Sequence, residues 1–382
     1  MKKSLAIGIV IIGLSLLWIP FTRGSVHAQM DTDTVKGKWH PTANMTSARV
    51  DHTATLLKNG DVLVEGDANN FGSVPPAAEL YHPKTATWSL TGQMQGFHVS
   101  DHVTVLLGDG TVLVTGGMGF SGLDTTALSE LFHPTTGTWS VTGNLITSRT
   151  LFTATLLQNG EVLVVGGMRW INGNTTPLAS AELYNPITGT WSPTGSLHTS
   201  HRGHTATLLP NGFVLVAGGI DDTGGTSSSA ELYNPATGMW SLTGNMHAYR
   251  LGHTATLLNN GEVLVTGGET SVYPAVASAE IYNPTTGLWT LTGTMNAARV
   301  HQTATLLRNG KVLVVGGYDI NASAMASAEI YNPSTGVWTQ TGSMSTPRFF
   351  HTATLLHNGR VLAAGGNSLN GTSTSTAEVF AL

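Results

Sequence analysis

The chain has 382 residues, of which 41% are hydrophobic and 10% charged, with 46 glycines and no cysteine. Lack of cysteine excludes disulfides, thiolate metal sites and cysteine nucleophiles, while low charge with abundant glycine points away from long solvated helices and toward an all-β chain with many tight turns. The formal net charge of -5 leaves no basic stripe to meet phosphates, so nucleic acid is not an expected partner.

Taken in chain order, the first feature is Lys2 and Lys3 followed by an uncharged apolar run from Leu5 to Ile19, then Pro20 and a polar stretch ending in Val26-His27-Ala28. Residues 1–28 thus have the pattern of a signal peptide cut after Ala28, and the run is short for a membrane span. The expectation is a secreted or extracytoplasmic protein; an uncleaved anchor is the alternative, and it would be the only membrane contact. Cleavage would remove Lys2, Lys3 and Arg23, leaving 14 basic against 22 acidic residues and a charge of -8. Residues 29–35 form a short linker.

From residue 36 to 382 the chain repeats itself. Trp39, Trp88, Trp139, Trp191, Trp240, Trp289 and Trp338 recur at intervals of 49 to 52 residues, marking seven units. The fifth unit shows the shared text: Arg250-x-x-His253-Thr-Ala-Thr-Leu-Leu, Asn260-Gly261, Val263-Leu264-Val265, Gly267-Gly268, Ala279-Glu280-Ile281-Tyr282-Asn283-Pro284 and Trp289. Thr-Ala-Thr-Leu-Leu predicts a first strand, and Asn-Gly a hairpin whose two turn positions tolerate positive φ. Val-Leu-Val, apolar on both faces, predicts a second strand inside stacked sheets, ending at Gly-Gly where backbones approach closely. Ala-Glu-Ile-Tyr is a third strand, Asn-Pro-Thr-Thr-Gly a turn, and the Trp segment a fourth strand.

A unit of four antiparallel strands carrying Gly-Gly, Glu-x-Tyr and Trp in that order resembles the kelch motif over residues 36–382. The glycine pair departs from pattern only in the first unit, as Gly66-Asp67. The resemblance implies an all-β, seven-bladed kelch-type β-propeller with four antiparallel strands per blade. The sequence after the linker opens on a lone fourth strand at Lys38-Trp39 and stops after a third, Ala377-Glu378-Val379-Phe380, so the two ends are expected to complete one blade and remove the open sheet edge.

Residue types repeated in every blade are scaffold first, because one ligand seldom needs seven identical contacts. That covers the tryptophans, the glutamates Glu79, Glu130, Glu182, Glu231, Glu280, Glu329 and Glu378, and the histidines His52, His102, His204, His253 and His351, whose places are taken by Phe152 and Gln302 in two units. Phe cannot ligate, so a metal ring is not expected. Arg49, Arg149, Arg250, Arg299 and Arg348 stand ten residues after their tryptophans, with His98 and His201 in the other two units. They either rim the central channel and hold an anion, or are neutralised by the glutamates.

In such a blade the loops between second and third strands and between blades share one face, and length variation concentrates there; a binding site belongs on that face. Its nonrepeated side chains are Arg169, Trp170, Asn172 and Asn174 in the longest loop, with Asp221, Asp222, Tyr273, Tyr318 and Asp319 nearby. Trp170 leads the set as the one tryptophan after residue 28 outside the repeat register, a loop aromatic suited to stacking on a sugar or anchoring a peptide. The expected function is a noncatalytic extracellular binding module taking a glycan or protein at the cell surface. A monomer, no cofactor and no metal are expected. Kelch resemblance offers two enzymatic precedents, of which a sugar-acid epimerase-like enzyme is kept as the alternative and galactose oxidase chemistry is rejected. Exported bacterial kelch enzymes that epimerise N-acetylneuraminate use a smaller propeller, and galactose oxidase needs a cysteine crosslinked to tyrosine, which this chain cannot supply. A structural surface protein, with the propeller as a rigid spacer, is a third possibility.

Overall fold

A computed structural model describes residues 37–66, 77–119, 124–271, 274–368 and 371–382. The signal peptide and linker expectations for residues 1–28 and 29–35, and the candidate Tyr273, lie outside the described residues.

Seven four-stranded antiparallel sheets follow one another; in six the strands lie in sequence order from first to fourth, and the seventh takes its fourth strand from the N-terminal end. Blade I consists of Thr53–Leu56, Val62–Glu65, Glu79–His82 and Thr87–Leu90, and blade II of Val103–Leu106, Val112–Thr115, Ser129–His133 and Thr138–Val141. Blades III to VI begin at Thr153–Leu156, Thr205–Leu208, Thr254–Leu257 and Thr303–Leu306. Blade VII joins Thr352–Leu355, Val361–Ala364 and Ala377–Ala381 to the N-terminal strand Lys38–Pro41, which pairs in the register Trp39 to Phe380. The first strands of the seven blades touch one another in a closed cycle, so they line the central channel and the fourth strands lie outermost.

The second strands are buried at all four positions, Val263 to Thr266 among them, because each is covered by blades on both faces. The cores lie between blades. Leu209, Leu215, Ala217 and Ala230 of blade IV pack on Val263, Val265, Tyr282 and Trp289 of blade V, and the pattern recurs around the ring. Each repeat tryptophan packs on the third-strand tyrosine or phenylalanine opposite it, as Trp289 does on Tyr282 with centroids 5.0 Å apart. Trp139, Trp240, Trp289 and Trp338 are buried, whereas Trp39, Trp88 and Trp191 are half-buried on the outer edge.

The hairpin turns differ in type from the sequence expectation. Gly261 N–H donates to the Leu258 carbonyl and Leu258 N–H to the Glu262 carbonyl, so the loop is a type I turn closed by a glycine bulge. Only Gly261, at φ 86°, takes the positive dihedral. The Asn260 side chain instead braces the turn, with its Oδ1 accepting the Glu262 amide at 3.1 Å. A second departure is the longest loop. Met168–Ile171 and Asn174–Pro177 form a two-stranded ribbon, so Trp170 stands on a strand instead of in an irregular loop.

Candidate functional site

The repeated polar groups are consumed inside the scaffold. Glu280 Oε2 accepts the His247 amide at 2.6 Å and Oε1 the Ala248 amide at 3.1 Å, tying the loop from blade IV to the third strand of blade V. Burial works against its ionisation, yet the His247 amide and the Arg250 guanidinium more than offset that and hold its pKa below the usual carboxylate range. Arg250 also donates to the Gly267 carbonyl at 2.8 Å. Arg49, Arg149, Arg299 and Arg348 do the same with Glu79, Glu182, Glu329 and Glu378, and all five arginines are 0% exposed. Of the two roles open to them from sequence, the fold adopts neutralisation by glutamate. They do not rim the channel, and no anion from solvent reaches them. His98 and His201 are their equivalents: each uses Nδ1 at 2.8 Å on the first-glycine carbonyl, Gly116 or Gly218.

The second histidine column links blades circumferentially. His52, His204, His253 and His351 reach Thr352, Thr153, Thr205 and Thr303 of the preceding blades at 2.9 to 3.2 Å. Burial depresses their pKa values, so they are neutral links rather than charged ones. The first unit breaks the pattern. Glu65 takes a position held by Thr115 or Val165 elsewhere, and its Oε1 lies 2.7 Å from Nε2 of His102 with neither side chain more than 1% exposed. Burial opposes the charge on His102, but Glu65 outweighs it and raises the pKa.

The loop candidates separate into several groups. The 168–177 ribbon leans on blade II: the Thr125 amide donates to the Trp170 carbonyl at 2.8 Å and the Asn172 amide to Asp124 Oδ1 at 2.8 Å. Arg169, Asn172 and Asn174 are exposed there and Trp170 is half-buried. Asp221 caps its own turn through the Thr223 amide and hydroxyl, and Asp319 caps Asn321 and Ser323. Asp222 is exposed beside Asp221. Tyr318 belongs elsewhere, packed on His301 and Phe349 with centroids 5.6 and 5.5 Å away, its hydroxyl donating to Glu269 at 3.2 Å. The structure therefore does not gather the candidates into one pocket.

The fold does gather a set that sequence reasoning passed over. One residue before the column of His52 and its equivalents, Asp51, Asp101, Leu151, Gly203, Gly252, His301 and Phe350 all take left-handed backbone, at φ between 50° and 64°. Five are not glycine, an uncommon conformation that the surroundings must impose. These residues sit where each chain turns into a channel-lining strand. Interblade hydrogen bonds draw them together: Gly203 N–H to the Leu151 carbonyl at 2.8 Å and His301 N–H to the Gly252 carbonyl at 2.9 Å. They form the channel mouth on the loop-rich face, and its character varies around the ring. The signal was present in the sequence as the variable residue just before each His52-type position within an otherwise repeated string. Two cavities of about 310 and 600 Å³ lie on the opposite face, between short turns of adjacent blades such as Asn159 and Asn211, or Lys58 and Asp109. Their linings are repeat turn residues, so they are a by-product of stacking.

Seven closed blades built on repeated Glu, Arg and Trp contacts define a kelch-type propeller. The chain belongs to the kelch-repeat β-propellers: a Kelch motif profile matches residues 149–198 and the Attractin/LZTR1 beta-propeller profile matches residues 224–381. A curated relative, Spermatocyte protein spe-26 of Caenorhabditis elegans, is 30% identical over 178 residues, covering 44% of this chain and 30% of the relative, so the match spans under a third of that protein. Among solved structures, a fungal alcohol oxidase of the AA5 family in complex with copper aligns with TM-score 0.74 and 20% identity, over 90% of this chain and 76% of that one. The structure of YjhT aligns with TM-score 0.57 and 15% identity, over 73% and 94% of the two chains. These likenesses establish the fold. At 20% and 15% identity they carry nothing about a site. The kelch propeller supports a binding or interaction module.

Proposed function

We propose that this chain is a noncatalytic binding module, exported from the cytoplasm, that holds a protein or glycan partner against the loop-rich face of its propeller. One observation carries the proposal: the acids and bases repeated in every blade are bonded to the scaffold, while the side chains that differ from blade to blade collect on this face. A rigid ring that presents dissimilar loops suits recognition, since variation there leaves the inter-blade cores untouched.

The experiment displays the purified chain to a glycan array and to candidate surface proteins, and repeats each hit with Trp170→Ala and Arg169→Ala on the loop-rich face and Ile187→Ser on the short-turn face. Loss of binding with either of the first pair but not the third is expected. Binding sensitive only to Ile187→Ser would overturn the choice of face, and turnover of a sugar acid would overturn the noncatalytic assignment. Export rests on the first 28 residues, and N-terminal sequencing of protein collected outside the cytoplasm is expected to begin at Gln29.

A further inference from the structure

The channel mouth is chemically lopsided. On blades VI and VII its wall is aromatic: His301 stacks on Phe350 with centroids 4.0 Å apart and an interplanar angle of 39°, Phe350 lies 5.3 Å from Phe349, and Phe349 meets Tyr318 edge-on at 5.5 Å. All four rings are half-buried, so each keeps part of its surface in water. On blades I and II, the next two around the ring, the equivalent left-handed positions carry Asp51 and Asp101.

We propose that this arc of the mouth binds a basic side chain, a lysine ammonium or arginine guanidinium, presented by a protein partner. The inference rests on the assignment of the loop-rich face as the binding face. Aromatic faces and carboxylates both attract cations, and anions gain from neither. Nothing in the wall itself opposes a cation. Burial lowers the His301 pKa to about 4, leaving the ring uncharged at neutral pH, and burial together with Glu269 raises Tyr318 to about 12. Burial also raises the Asp101 pKa, the mark of a carboxylate short of water that an incoming cation would stabilise. Arg202 is the one lysine or arginine directly beside a ring position, and it lies on blade IV across the mouth; His102, which follows Asp101, is paired with the buried Glu65. The arginines that looked like an anion rim are buried, and the chain's negative net charge steers cations inward.

Calorimetric titration of the whole chain with capped pentapeptides Gly-Gly-X-Gly-Gly tests this, with X lysine, arginine, norleucine or Nε-acetyl-lysine, and with butylamine as a free amine. Lysine and arginine peptides should bind at least tenfold tighter than the norleucine and acetyl-lysine peptides. Phe350→Leu, which places there the side chain that blade III carries at Leu151, should weaken lysine-peptide binding about fivefold, as loss of a cation–π face implies. Asp101→Asn should do likewise, and Arg202→Ala should leave binding equal or tighter. Equal binding of the lysine and norleucine peptides, or no binding of either cationic peptide, would overturn the proposal; butylamine binding as tightly as the lysine peptide would overturn the protein partner. If a partner found by the face screen is lost with Trp170→Ala but ignores Phe350→Leu and Asp101→Asn, the mouth assignment fails and the binding module stands.

Discussion

Nη2 of Arg250 lies 2.9 Å from Oε1 of Glu280, and neither side chain has any exposure. Removing one member of such a pair leaves the other charge buried without its partner, which costs about 3–5 kcal/mol. Arg250→Met is therefore expected to lower the urea midpoint severely. Arg250→His should lose much less, because His201 occupies the same place in blade IV, bonded to the Gly218 carbonyl and 3.9 Å from Glu231. Equal losses for the two variants would refute the equivalence.

His52, His204 and His253 have pKa values lowered from 6.5 to about 3 by burial. They are neutral in the folded ring but take up protons below 6.5 when unfolded. Their contribution is full above 6.5 and is lost as the pH falls toward 3, at about 1.4 kcal/mol per pH unit for each group. His253→Gln should soften the acid limb, since Gln302 already serves at this position in blade VI with Nε2 2.9 Å from the Thr266 carbonyl. Urea midpoints at pH 7 and pH 5 measure it, and an unchanged difference between the two would count against neutral histidines.

The Glu65 and His102 pair has the opposite sign for its histidine. His102 stabilises below its unfolded pKa and loses that contribution as pH rises through its raised folded value, whereas Glu65, held low, loses its own as pH falls. Glu65→Thr, matching Thr115 and Thr266, should drop the His102 pKa below 6.5, as burial has done at His52. An NMR titration of the ring reads this directly; a His102 value still above 6.5 would show that Glu65 is not its cause.

Ala377–Ala381 pairs with Lys38–Pro41 on one side and Val361–Ala364 on the other. Deleting residues 376–382 should strand the N-terminal strand and open blade VII, lowering Tm by more than any substitution named here. A truncated chain that melts at the full-length temperature would refute this closure.

A Cβ placed on Gly293 would stand 1.9 Å from the Gly336 carbonyl oxygen of the next blade, a backbone atom that cannot step aside. Gly293→Ala should cost on the order of 1–3 kcal/mol or more by forcing two blades apart. Gly108 has nothing within 4 Å of such a Cβ and no positive φ, so Gly108→Ala should be neutral or stabilise by about 0.4–1 kcal/mol. Thermal melts of the two variants that moved together would argue against close approach as the reason for Gly293.

Much of this was legible in the repeat. The spacing of Trp39 to Trp338 gave the blade count, and the strand left over at each end gave the closure later seen between Trp39 and Phe380. The scaffold role of the glutamates followed from their presence in every unit. Less legible was the fate of Arg49, Arg149, Arg250, Arg299 and Arg348, because an arginine beside a channel reads alike whether it faces solvent or a buried glutamate. Trp170 drew attention by falling outside the register, yet it is the Trp170 main chain that docks the ribbon on Thr125. His301 and Phe350 drew none, being single letters inside a repeated string.

The sequence by itself determined the ring: local strand patterns, turn glycines and a fixed repeat length leave one way to bury seven apolar faces and pair both chain ends. Only the tertiary structure decided which residues face the mouth. That choice depends on seven loops, far apart in sequence, turning through left-handed backbone around one axis, where Phe350 of the last blade takes the position that Asp51 holds in the neighbouring first blade.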